Sequence, residues 1–143
     1  MSESTRSVDR SHDDTEHDPM AFTQSLLNAF TASDSARYFA HFHPDATFLF
    51  YDTPHRIESR KDYEDMWSRW ERDAAFRVLD CKSTNQRMQS YPNGTAIFTH
   101  DVRTTRSLDG VEDVVLERET IVLVRVDNQW TCVHEHLSPY PAT

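Results

Sequence analysis

The stretch Glu117-Arg118-Glu119-Thr120-Ile121-Val122-Leu123-Val124-Arg125-Val126-Asp127-Asn128-Gln129-Trp130-Thr131-Cys132-Val133-His134-Glu135-His136-Leu137-Ser138 is β-forming throughout, except at Asp127-Asn128. It reads as two strands, Val114 to Val126 and Gln129 to Leu137, joined by a tight turn. Working backwards, Leu108-Asp109-Gly110 marks another turn and Thr95 to Ser107 alternates as a strand. Pro92-Asn93-Gly94 marks a third turn, before a strand that starts near Ala75 and reaches about Tyr91. Consecutive hairpins make an antiparallel meander. Strands this long exceed the usual length, so bending with bulges is expected.

Upstream the period changes to that of helices. Asp18-Pro19 suits a helix start, and Phe22, Leu26, Leu27 and Phe30 then fall on one helical face. Ser33 or Asp34 can cap a short second helix that carries Tyr38, Phe39 and Phe42 and ends before Pro44. Residues 46–51, apolar on both faces, read as a buried strand that Asp52-Thr53-Pro54 ends. His55 to Glu58 is a short strand or an edge. Ser59 then caps a third helix from Arg60 to about Asp73, with Tyr63, Met66, Trp67 and Trp70 on its apolar face. Helices first and strands later predict an α+β fold: three N-terminal helices covering the concave side of a curved antiparallel sheet of about four to six strands.

The 143 residues fit one domain, placed at 19–143, after a polar segment 1–18 too poor in apolar side chains to offset its ordering entropy. A formal net charge of −9 argues against nucleic acid as a partner. Cys81 and Cys132 lack metal-ligand spacing and read as reduced thiols. No run suggests a signal peptide or a membrane span, so the expected location is cytoplasmic with no membrane partner. Glycine occurs only at 94 and 110, both in turns, which leaves no phosphate-cradling loop.

The Trp130 and Val133-His134-Glu135-His136-Leu137-Ser138 pattern resembles the closing hairpin of nuclear transport factor 2-like proteins, in the branch of SnoaL-like proteins and kinase association domains. Phe42-His43-Pro44-Asp45-Ala46-Thr47-Phe48 is similar to that family's first-strand segment. The resemblance implies a cone-shaped α+β barrel with a pocket between sheet and helices, and homodimers formed through the sheet. Its members include steroid isomerases, polyketide cyclases, dehydratases and many proteins without assigned activity, so fold alone does not decide function. It also implies that Thr131, Val133, Glu135 and Leu137 face the cavity, while Trp130, Cys132, His134 and His136 face outward. Glu119, Ile121 and Leu123 share the cavity face if the Asp127-Asn128 turn carries a bulge; a plain two-residue turn shifts the pairing by one.

Candidate site residues follow from these placements. Glu119 and Glu135 on neighbouring strands form a carboxylate pair, and in an apolar cavity one of them holds its proton and works as a general acid or base. The plain alternative pairs them with Arg103, Arg118 or Arg125 at the surface. Asp52 ends the first strand with the parity of Phe48 and Phe50, near where steroid isomerases of the resembling family carry a catalytic Asp; the plain alternative is a turn former. Tyr38 and His55 are candidates to polarise a carbonyl beside it. Phe48, Phe50, Trp67, Ile121, Val133 and Leu137, with Glu119, are expected to line the pocket, although this aromatic set also suits a core. His100, His134 and His136 could form a metal site, but packing beside the Trp or bonding across an interface accounts for them without one, so neither metal nor cofactor is expected.

The function these readings favour is binding of a small, mostly apolar organic molecule, with cofactor-independent isomerase, cyclase or dehydratase chemistry. The alternative is a non-catalytic binding or dimerisation module. Val122, Val124, Val126, Trp130 and Cys132 are expected to make the outer sheet face apolar, hence a homodimer.

Overall fold

Helix α1 (Pro19–Thr31) starts where the Asp18 side chain accepts a hydrogen bond from the Met20 amide, with Pro19 in its first turn. The computed structural model describes residues 18–142, so the reading of the preceding tail lies outside the described residues. Asp34, rather than Ser33, caps α2 (Ser35–Phe39) by accepting from the Arg37 amide. Ser33 instead takes the Val78 amide at 3.1 Å, tying the α1–α2 junction to the sheet. Ser59 caps α3 (Arg60–Ala74), which ends at Ala75 in the left-handed region, φ 50°.

The sheet has five strands: β1 (Phe42–Phe50), β2 (Arg77–Tyr91), β3 (Thr95–Leu108), β4 (Val111–Val126) and β5 (Gln129–Pro139), in the order β1-β5-β4-β3-β2. It is curved and unclosed. The meander β2 to β5 is antiparallel as expected, but β1 joins the edge parallel to β5. The expectation of a wholly antiparallel sheet is corrected there, because the chain leaves β1 through α3 and re-enters at the opposite edge. Phe42 also belongs to β1 and not to the second helix. Ile57 makes an isolated antiparallel bridge to Phe48.

Both Asp109-Gly110 and Asp127-Asn128 are two-residue turns with every φ positive, the type whose twist matches a hairpin. The Asp127-Asn128 turn therefore carries no bulge. The irregularity lies inside β5: Cys132 pairs with Leu123 and His134 with Val122, leaving Val133 as the extra residue. This bulge changes the parity of the strand midway. Trp130 and Cys132 before it, and Glu135 after it, are all buried on the inner face. The expected outward placement of Trp130 and Cys132 is thus overturned, and Val133 is a half-buried bulge residue rather than a pocket wall.

The inner face is built in lateral rows. His100, Glu119 and Leu137 form one; Phe98, Ile121 and Glu135 form the next, with Phe48 beside Glu135; Ala96, Leu123 and Cys132 form the third. Onto it pack Leu26 and Leu27 of α1, Tyr38 and Phe39 of α2, and Tyr63 and Trp67 of α3, all buried. Ring contacts at 5.0–6.4 Å link Tyr38, Phe39, Phe42, Tyr63 and Trp67 into one aromatic cluster. Among the described residues no helix is long and apolar enough to cross a membrane.

Candidate functional site

Two hollows adjoin where the helices leave the sheet. The outer one, about 440 Å³, is walled by Phe30 of α1, by Tyr63, Met66, Trp67 and Trp70 of α3, and by Phe76, Leu108 and Leu137. Its polar rim is Asp52, Thr53, Thr104, Arg106 and Glu117. The inner chamber, about 40 Å³, has Tyr38, Cys81, Glu117, Glu119 and Glu135 among its walls. Phe30, Thr104, Glu117 and Leu137 line both. A groove of about 490 Å³ outside α2 and α3 contains none of these three glutamates.

Glu135 is 1% exposed. Its Oε1 accepts from the Tyr38 hydroxyl at 3.1 Å, and Tyr38 lies 3.2 Å from the Tyr63 hydroxyl. Its Oε2 has no partner among the described residues, a property shared only with the Trp67 indole Nε1 among buried side-chain polar atoms. Burial, then the neighbouring Glu119, raises the Glu135 pKa well above the carboxylate range, against the smaller pull of the Tyr38 bond. Burial therefore favours its protonated form.

Glu119 is pushed up to about 8 by burial and by Glu117. Its Oε1 lies 2.7 Å from His100 Nε2. That geometry suits an ion pair, but burial also pulls His100 down to about 4. Both shifts favour the uncharged forms, so the contact is a neutral acid on a neutral imidazole: Glu119 donates to Nε2, and Nδ1–H donates to Ser83 Oγ, 2.5 Å away. Glu117 accepts from the Tyr51 hydroxyl at 2.7 Å and is raised by burial first. Cys81 is raised to about 11, burial again being the main cause, so it is no nucleophile at neutral pH.

The structure brings Tyr38, Glu119, Glu135 and Leu137 to the inner chamber and puts Trp67 and Asp52 on the outer hollow. Asp52 is exposed and accepts from Thr53 Oγ1 at 3.2 Å. His55 is not part of this group: it lines a separate depression with Arg56, Asp62 and Arg69. Phe48, Phe50 and Ile121 are core side chains and wall neither hollow. His134 is held by Thr47 Oγ1 at 2.9 Å and His100 by Ser83 and Glu119. Among the described residues no group of three or more His, Cys, Asp or Glu is placed to hold a metal ion.

Glu117, Thr104 and Arg106 were missed by the sequence reading. Glu117 shares the strand parity of Glu119, which is the signal that could have found it.

A five-stranded curved sheet closed on one side by helices, with a hollow between, defines a nuclear transport factor 2-like fold. The chain belongs to the SnoaL-like domain family, whose model matches residues 20–143. Among solved structures it is similar to an NTF2-like protein of Prochlorococcus sp. NATL2A (16% identity, TM-score 0.70, 87% of this chain and 95% of that chain covered). It is also similar to a ketosteroid isomerase-like protein of Erwinia carotovora atroseptica (13%, TM-score 0.73, 86% and 94%). A third similar structure is the CaMKII hub homology domain of Chlamydomonas reinhardtii (18%, TM-score 0.66, 85% and 95%). No curated protein matches the chain.

Proposed function

We propose that the chain binds a small, mostly apolar organic molecule in the outer hollow and exchanges a proton with it through Glu135. The observation that carries this reading is the fully buried, unpartnered Oε2 of Glu135, in a chamber adjoining a hollow walled by aromatic rings. An apolar pocket with few inward polar groups is what such a ligand requires. A carboxyl that keeps its proton near neutral pH can deliver it and recover it. Tyr38 donates to Glu135, so it tunes that acid rather than polarising the ligand. Glu119, engaged with His100, is the neighbouring proton store. Asp52, at the rim, is the base that takes a proton from the carbon beside the carbonyl while Glu135 protonates the carbonyl oxygen, and both protons return when the carbon is reprotonated. The similar protein named ketosteroid isomerase-like fits chemistry without a cofactor. We further propose a homodimer through the outer sheet face.

The test uses 2-acetylnaphthalene, a flat ketone of suitable size. Saturable quenching of tryptophan fluorescence is expected, weakened about tenfold in Trp70→Ala. In D2O the protein should exchange the methyl protons beside the carbonyl, followed by proton NMR, and Glu135→Gln should abolish the exchange. Binding without exchange would leave a non-catalytic binding module; no saturable binding would remove the pocket reading.

A further inference from the structure

The polar atoms of the inner chamber are unbalanced. Three carboxyl groups line it, and neither Lys nor Arg does. Each carboxyl has one oxygen engaged: Glu117 Oε2 by Tyr51, Glu119 Oε1 by His100 and Glu135 Oε1 by Tyr38. The nearest cation of the rim, Arg106, is already held by both oxygens of Asp113 at 2.9 and 3.2 Å. Glu135 Oε2 remains buried without a partner.

We propose that the ligand carries a primary ammonium group, seated in the inner chamber among Glu117, Glu119 and Glu135, with an aromatic or alicyclic body in the outer hollow. The proposal rests on reading the hollow as a ligand pocket and adds the ligand's chemical class. An ammonium has three N–H donors and no acceptor, which matches three carboxyls that each keep an oxygen in reserve. A ketone oxygen would take one bond, from Glu135, and leave the other two unused. A carboxylate ligand would meet only like groups. The chamber, about 40 Å³, is near the share of a single water molecule, so it takes an ammonium tip and not a ring. Phe30 and Tyr38 add aromatic rings to its wall, which suits a cation. The formal charge of −9 draws cations toward the protein.

Seating the cation turns the nearest acid into a paired carboxylate, and the proton leaves to solvent. The titratable groups facing this acid cluster are Tyr38 of α2, Tyr63 of α3, Cys81 of β2, His100 of β3, Glu117 of β4 and Cys132 of β5; α1 contributes Leu26, Leu27 and Phe30. Of these only carboxyls release a proton near neutral pH, since burial raises the tyrosines and thiols and keeps His100 neutral.

The experiment is isothermal titration calorimetry of the full chain at pH 7 with 2-(2-naphthyl)ethylamine, 2-(2-naphthyl)ethanol and 2-naphthylacetate, each in phosphate and in Tris. The amine should bind at least about tenfold tighter than the alcohol. Its enthalpy should differ between the buffers by the amount that proton release requires. Glu135→Gln and Glu119→Gln should weaken the amine about tenfold more than they weaken the alcohol. Alcohol or acetate binding as tightly as the amine, or amine binding with no proton released, overturns the ammonium proposal and leaves the pocket reading standing. Failure of all three to bind at millimolar concentration overturns both.

Discussion

Glu119 and Glu135 keep their protons because the chamber strips water from them, and that couples folding to pH. A carboxyl whose folded pKa lies above its unfolded value of about 4.5 gives its full stabilisation below that value. The contribution is lost as pH rises through about 8, the value to which Glu119 is pushed. His100 works in the opposite sense: lowered to about 4, it contributes fully above about 6.5 and loses that as pH falls through 4. The two slopes offset each other between about pH 4.5 and 6.5, so the melting temperature should change little there and then fall toward pH 9. At about 1.4 kcal/mol per pKa unit, the fall is on the order of 10 °C. Scanning calorimetry from pH 5.5 to 9 checks this, and Glu119→Gln should flatten the slope. A melting temperature that rises across that range would mean the acids are charged in the folded state. Carboxyl parity on β4 was legible in the sequence at this scale; the engagement of Tyr38 with Glu135 was not, because 97 residues separate them and only the packing of α2 on β5 joins them.

At the scale of elements, the bulge at Val133 decides which way the end of β5 faces. With a two-residue turn before it, a regular β5 would oppose Ile121 with His134; the extra residue brings Glu135 there. Deleting Val133 keeps Cys132 and Glu135 inward and His134 outward, so the variant should fold with a less bent β5. Inserting one Ala after His134 sends Glu135 and Leu137 outward and His136 inward, which should abolish the cooperative thermal transition. Circular dichroism melts of the two variants compare them directly. Equal tolerance of both would show that burial does not set this register. The positions of the turns at Asp109-Gly110 and Asp127-Asn128 were legible in the sequence, as were the caps Asp18 and Ser59, but whether the second turn carries a bulge was not. Nor was the bulge inside β5, since Thr131-Cys132-Val133-His134 suits either face.

For the whole molecule, the even positions of β4 define the outer sheet face. Val114 and Leu116 are 46% and 53% exposed, Val126 is 45% exposed, and Val122 and Val124 are half-buried. Arg118 and Thr120 divide this row into two apolar patches, Val114 with Leu116 and Val122 with Val124 and Val126, which together are the expected contact between copies. Sedimentation equilibrium at micromolar concentration should give a dimer, and Leu116→Glu with Val124→Glu should give monomer at unchanged helix content. A wild-type monomer would remove the dimer proposal. The corrected inward placement of Trp130 and Cys132 narrows this face but leaves the two β4 patches in place.

By itself the sequence determined the succession of helices and strands, the turns between them, the caps, and the segregation of helices from sheet. Those depend on periodicity and on neighbours a few residues apart, which a linear chain displays. Only the tertiary structure decided that β1 runs parallel beside β5, that β5 changes parity at Val133, and that Glu135 meets Tyr38 and Glu119 meets His100 at a chamber that neither Asp52 nor His55 lines. Those outcomes depend on which distant surfaces bury one another, and on water being excluded from groups that, read along the chain, look no different from solvated ones.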